Sequence, residues 1–342
     1  MITFKPKQIT KKLLASLPDR ARDVLEKRYG LGVDAEAFTL ESIGQAYGIT
    51  RERVRQIEGY GINSIQKSDS YQEYKPIFEE LHTLISELGG GVIAEDHLLD
   101  LLSSDQSTRN HIYFLLVVGD PFYRAKENSS YQHRWFTEKK IAESVEKALK
   151  NVHESLERDQ LVTEEEILSR FRDQLIDIAE KHDEEILKRW LMISKDISRN
   201  PLGEWGHSSS PNVKVKGIRD YAYLVVKRHG SPMHFREVAK AIEELFNRKA
   251  HIATTHNELI KDKRFVLVGR GLYALSEWGY SAGVVKDVLR DIIEKHGPLT
   301  REEIIDKVRK ERYVKDNTIV VNLQDTNMFK KLPNGAYALV TE

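Results

Sequence analysis

The amino-acid sequence predicts a mainly α-helical chain: an N-terminal helix-turn-helix followed by tandem winged-helix modules, each of three helices and a β-hairpin. Two observations carry this. Between Thr39 and Lys67, two runs of helical apolar period are separated by a tight Gly48-Ile49-Thr50 break. Farther along, one pattern recurs: an amphipathic helix, a glycine-containing break, two more helical runs, then two short strands around a glycine turn.

Composition agrees with several small modules. The 342 residues are 40% hydrophobic, 31% charged and 8% aromatic, a balance suited to modules that keep much surface per residue. There is no cysteine. This excludes disulfides, Cys-ligated zinc, iron–sulfur clusters and thiol catalysis, and fits a reducing cytoplasm. Met1–Leu17 is basic but has no long apolar run, so it does not read as a secretory signal. No stretch approaches the roughly 20 apolar residues that span a bilayer; Ile112–Val118 reads as a short buried strand or helix segment. A cytoplasmic protein with no membrane partner is expected.

Formal net charge is zero, yet charge is unevenly placed. Residues 1–67 carry 12 Lys and Arg against 8 Asp and Glu, and residues 212–280 carry 13 against 7. Residues 68–211 carry 17 against 28, and residues 281–342 are nearly balanced at 11 against 10. Attraction to phosphate would therefore act through two basic modules flanking an acidic middle.

Taken in order, residues 1–70 hold the helix-turn-helix. Thr39 can cap a helix in which Leu40, Ile43, Ala46 and Tyr47 share a face, Gly48 suits the left-handed turn position, and Thr50 caps the next helix. Gly59 and Gly61 are expected to end that second helix early. Residues 74–138 read as winged-helix-like: helices over Tyr74–Leu88, Glu95–Leu102 and Thr108–Val118, then Phe122–Phe136 with a turn at Asn128-Ser129-Ser130. Residues 139–211 read either as another such module or as a helical spacer. Helices are expected over Lys139–Arg158, Thr163–His182 and Glu184–Ile193, then Ile197–Trp205, with Ser208–Asn212 as a linker. In residues 212–280 and 281–342, His229-Gly230 and His296-Gly297 end the first helices where a left-handed residue is wanted. The turns Gly269-Arg270-Gly271 and Asn334-Gly335 close hairpins between Phe265 and Leu275 and between Phe329 and Leu339.

The chemistry lies in Thr50–Glu58. At about 100° per residue, Arg51, Glu52, Arg55 and Gln56 fall within about 140° of one helix side, with Val54 and Ile57 opposite. Arg can fork to guanine O6 and N7, Gln to adenine N6 and N7, and Glu can accept from cytosine N4 in the major groove. A solvated charged face is the plain alternative.

Leu17–Leu31, Thr39–Gly44 and Ile49–Glu58 resemble region 4 of the housekeeping-type bacterial sigma factors, over about residues 15–67, with Thr50-Arg51-Glu52-Arg53-Val54-Arg55-Gln56-Ile57-Glu58 as the most specific run. The resemblance implies reading of a promoter −35 element and docking on the RNA polymerase β-flap. It implies Arg51, Glu52, Arg55 and Gln56 as the base-reading set, Thr50 at the helix start, and Arg53 nearer phosphate. The apolar residues Val24, Leu25, Tyr29 and Leu31 would include the flap-facing ones, several of them being simply core. About sixteen residues precede the motif, so promoter opening by the chain itself is not expected.

Residues 216–276 resemble a HARE-HTH winged helix through Tyr221–Val226, Pro232–Val238 and Arg264–Leu275. Members contact DNA or protein partners. The resemblance implies phosphate contacts from Lys261, Lys263, Arg264 and Arg270. No metal site, cofactor or small-molecule substrate is expected. His251 and His256 lack acidic company, and Gly89-Gly90-Gly91 lacks the Lys-Ser/Thr of a phosphate loop. The chain thus reads as a non-enzymatic, sequence-specific transcription regulator that binds double-stranded DNA and associates with RNA polymerase. The alternatives are a protein-binding adaptor of delta-subunit type and the specificity subunit of a multi-chain DNA enzyme.

Overall fold

A computed structural model describes residues 2–175, 178, 181–280 and 283–340. They form two compact units, residues 1–199 with 204–209 and residues 200–203 with 210–342. Both are mainly helical with small antiparallel sheets. Among the described residues no helix is long and apolar enough to cross a membrane.

The first unit opens with α1 (Pro6–Leu14), α2 (Asp19–Tyr29), α3 (Leu40–Tyr47) and α4 (Arg51–Gln66). Thr39 and Thr50 cap α3 and α4, each hydroxyl accepting from the backbone N–H three residues on, and Gly48 takes the left-handed turn at φ 64°. Val24, Ile43 and Val54 seal the angle between α2, α3 and α4. Ala46, expected on the buried face, is exposed, and Gly44 is buried in its stead.

A short α5 (Asp69–Glu73) leads into α6 (Lys75–Gly89), β1 (Val92–Ala94), α7 (Glu95–Leu102), α8 (Gln106–Val118), β2 (Tyr123–Ala125) and β3 (Arg134–Phe136). Strand β3 lies between β1 and β2, antiparallel to both. That order, with three helices, is consistent with a winged helix. Ile112–Val118 is the buried end of α8, not a strand. Residues from α1, α2, α4, α6, α8 and β3 share one hydrophobic core, so residues 2–66 do not close on themselves.

A second core gathers α9 (Lys139–Ser155), α10 (Glu164–Asp173), α11 (Glu184–Leu191), β4 (Ile197–Arg199) and β5 (Trp205–His207) around Phe171 and Trp190. Part of the helix expected at Thr163–His182 lies outside the described residues; within them α10 stops at Asp173. The passage from the first unit to the second falls inside Ser208–Asn212, as the linker expectation has it, yet Ser208, Ser210 and Asn212 are buried, and the Ser210 carbonyl accepts from the backbone N–H groups of Val213 and Lys214. Serine and asparagine satisfy backbone groups in a packed turn as readily as they solvate a linker.

The second unit repeats the helix–helix–helix–hairpin order twice. First come α12 (Ile218–His229), β6 (Met233–His234), α13 (Phe235–Phe246), α14 (Ile252–Lys261), β7 (Phe265–Leu267) and β8 (Leu272–Leu275), with β8 central in the sheet. Then follow α15 (Val285–His296), α16 (Arg301–Glu311), α17 (Asp316–Leu323), β9 (Phe329–Lys331) and β10 (Tyr337–Leu339) around their own core. Gly230 ends α12 in the left-handed region, as its sequence context predicts. Gly297 has positive φ but extended ψ (78°, −166°), so the chain leaves α15 without the left-handed cap.

Candidate nucleic-acid interface

The exposed side of α4 follows from its anchors. Val54 is fully buried and Ile57 packs beside it, which turns Arg51, Glu52, Arg53, Arg55 and Gln56 to solvent. Thr50 is the cap, its hydroxyl 3.2 Å from the Arg53 N–H. The reading-face side chains are already paired along the helix. Arg55 makes two hydrogen bonds to Glu52, at 2.9 and 2.7 Å, and Arg53 donates to the Gln56 carbonyl oxygen at 3.0 Å. Hydrogen bonding from Arg55 holds the Glu52 carboxyl below its ordinary value, so it stays an acceptor at neutral pH. Such exposed pairs are worth little to stability and exchange readily for a groove partner.

Gly59 and Gly61 do not shorten α4, which runs unbroken to Gln66. The two glycines differ in role. A Cβ on Gly61 would lie 2.9 Å from Leu25 Cδ1, whereas one on Gly59 would meet nothing within 4 Å. Gly61 therefore lets α4 cross α2 closely, and that packing outweighs its poor helix propensity. Gly61→Val should destabilise the chain by about 1–3 kcal/mol through overpacking. Gly59→Ala should stabilise it by roughly 0.5–1 kcal/mol. Thermal unfolding of the two variants should shift in opposite directions.

The residues assigned to a polymerase contact by resemblance lie mostly inside. Val24 and Leu25 are fully buried, Tyr29 is buried and Leu31 half-buried against the same core. Helix α8 covers this face. Phe114 meets the Tyr29 ring edge-on at 5.3 Å, and Asn110 donates to the carbonyls of Gly30 and Ala35 at 3.0 and 2.9 Å. The Tyr29 hydroxyl donates to Glu58 at 2.9 Å, which ties α2 to α4. Nothing in residues 15–67 announced this cover, because it comes from a helix some eighty residues later.

In the second unit the four expected cations separate. Lys261, at the end of α14, Lys263 and Arg270, at the hairpin turn, are exposed. Arg264 is not available to phosphate. Its guanidinium donates to Asp262 at 2.6 and 3.1 Å, to Asp220 at 2.8 Å and to the Asn212 side chain at 3.1 Å, and lies 5.0 Å over the Tyr223 ring. Asp220 is almost wholly buried, and its charge needs that partner.

Residues 13–67 match the family model for Sigma-70, region 4. Over 55 residues the chain is 51% identical to the RNA polymerase sigma factor SigA of Nostoc sp., covering 16% of this chain and 14% of that protein. Over 67 residues it is 37% identical to SigA of Listeria monocytogenes, covering 20% of this chain and 18% of that protein. The chain thus spans less than a fifth of the length of the curated relatives it matches. The capped α3–turn–α4 pair, its sealed apolar angle and its row of exposed Arg, Glu and Gln lie inside the matched segment, and residues 13–67 are a Sigma-70 region 4 domain.

Proposed function

We propose that the chain is a sequence-specific transcription regulator of partial sigma-factor type, reading duplex DNA through α4 in association with RNA polymerase in the cytoplasm. One observation carries the reading: Arg51, Glu52, Arg55 and Gln56 stand exposed on one side of a capped helix whose other side is sealed by Val54, within the Sigma-70 region 4 segment. Arg53 beside them is placed for phosphate, and the N–H groups at the Thr50 end add a favourable field for anions. Residues 216–276 would act as a HARE-HTH module, adding phosphate contacts from Lys261, Lys263 and Arg270. In the chain the acidic segments at 74–138 and 139–211 lie between the basic ones, with a further module at 281–342. The covered α2 face implies that polymerase is met on another surface or after α8 has moved.

Selection of bound duplexes from a random pool by the full chain tests this. An Arg55→Ala/Gln56→Ala protein should lose sequence selectivity, since each two-pronged base contact contributes about 1–3 kcal/mol of discrimination. An unchanged selected sequence would refute α4 as the reader.

A second reading, an adaptor that binds protein, draws on a specific observation. The last helices of the two modules in the second unit expose apolar side chains, beside Lys261 on α14: Ile252 and Ile260 on α14 and Val321 on α17 are about half or more exposed. An adaptor would show little salt-sensitive DNA affinity, whereas a reader should lose affinity with a slope of about −0.9 in log salt per phosphate neutralised.

A further inference from the structure

Beside α4, within the first unit, lies a cleft of about 670 Å³, inside the range of about 300–1,000 Å³ typical of small-molecule sites. Its charge is one-sided: Arg28, Arg51, Arg55, Arg124 and Lys126 line it against the single carboxylate of Glu58. Three of these cations are engaged. Arg55 holds Glu52, Arg124 grips the mostly buried Glu95 at 2.5 and 2.7 Å, and Arg28 lies 3.5 Å from Glu58. The side chains of Arg51 and Lys126 make no hydrogen bond or ion pair among the described residues.

The rest of the lining is aromatic. The Arg124 guanidinium lies over both Tyr113 and Trp135, at 5.4 and 5.9 Å, and the Tyr29 and Tyr113 rings sit 5.8 Å apart. Tyr123 stacks on Phe136 at 5.6 Å, yet more than half of it is exposed. Trp135 is 3% exposed, and its indole N–H has no acceptor among the described residues.

The geometry points to a nucleotide as the occupant of this cleft. Its phosphate is drawn by Arg51 and Lys126, and its base lies against the exposed ring of Tyr123. Cationic side chains interleaved with rings suit this ligand, because every base has a π-face and every nucleotide a negative charge. The same chemistry is offered by a free nucleoside phosphate and by an unstacked nucleotide of a DNA strand. The site shares Arg51 and Arg55 with the proposed α4 reading face and extends beyond it to Lys126 and Tyr123, which separate the two in a test.

Titration calorimetry on the full chain tests the cleft, with ATP, a short single-stranded oligothymidylate and inorganic phosphate as separate probes. Saturable binding of ATP or of the oligonucleotide is expected, and which of the two binds identifies the source. Lys126→Ala and Tyr123→Ala should each weaken that binding about tenfold or more, through a lost charge-assisted contact and lost stacking respectively. Both positions are exposed, so the fold should survive either change, and duplex selectivity should be kept. The inference is overturned if neither nucleotide probe saturates, if phosphate alone binds as well, or if both variants bind like the parent. A chain that keeps nucleotide binding but loses nothing in Arg55→Ala/Gln56→Ala overturns the duplex reading and leaves the cleft standing.

Discussion

Arg264→Ala should lower the stability of the second unit by about 3–5 kcal/mol, the scale on which breaking a buried ion pair acts. The guanidinium joins Asp262, Asp220 and Asn212 under the Tyr223 ring, so its removal takes the charged partner from two mostly buried carboxylates, which then keep only backbone N–H donors among the described residues. Differential scanning calorimetry should show the transition of this unit moved down. Lys263→Ala and Arg270→Ala should melt like the parent and instead reduce the salt slope of DNA binding by roughly one each. An Arg264→Ala protein of parental stability with reduced DNA affinity would mean that the guanidinium leaves its carboxylates for phosphate. Acid should act through the same cluster. Burial raises the Asp262 carboxyl, but hydrogen bonds and charge from Arg264 outweigh it, so the folded value lies below the ordinary 3.8. The stabilisation is therefore complete above about pH 4 and is lost as pH falls through the lower folded value. In the alanine variant this acid-sensitive component should vanish.

Phe114→Ala should cost about 3–5 kcal/mol in the first unit, the usual effect of truncating a fully buried aromatic residue. Phe114 is fully buried in the core shared by α1, α2, α6 and α8, with its ring against Tyr29. The consequence should extend beyond stability. Loosening α8 exposes Leu25 and Tyr29 and opens the carbonyls of Gly30 and Ala35 to exchange with water, because Asn110 sits one turn earlier on the same helix. Hydrogen exchange should speed up in both α2 and α8. If polymerase uses the α2 face once α8 has moved, the variant should bind the enzyme more tightly despite its lower stability. Faster exchange confined to α8 would show that the region 4 segment holds its α2 face without the cover.

The sequence alone was sufficient wherever the deciding interactions are local. Thr39 and Thr50 cap helices because their hydroxyls reach N–H groups three residues away, and Gly48 turns the chain because its own backbone permits it. The Gly269-Arg270-Gly271 and Asn334-Gly335 hairpins follow from turn chemistry of the same short range. A helical period turned Arg51, Glu52, Arg55 and Gln56 away from Val54 without any knowledge of the partner helix.

Tertiary structure decided what depends on residues distant in the chain. Gly61 looked like a helix breaker until Leu25 was beside it, and Arg264 looked like a phosphate ligand until Asp220, forty-four positions earlier, claimed its charge. The face of α2 looked free until Asn110 and Phe114 closed over it. The cleft beside α4 draws its cations and rings from helices α2, α4 and α8 and from the β2–β3 hairpin, which lie far apart in the chain. Caps and periods act within a turn or two of the chain, and a sequence displays them directly. Burial and charge pairing act across a few ångströms of space, and only the folded chain says which residues share it.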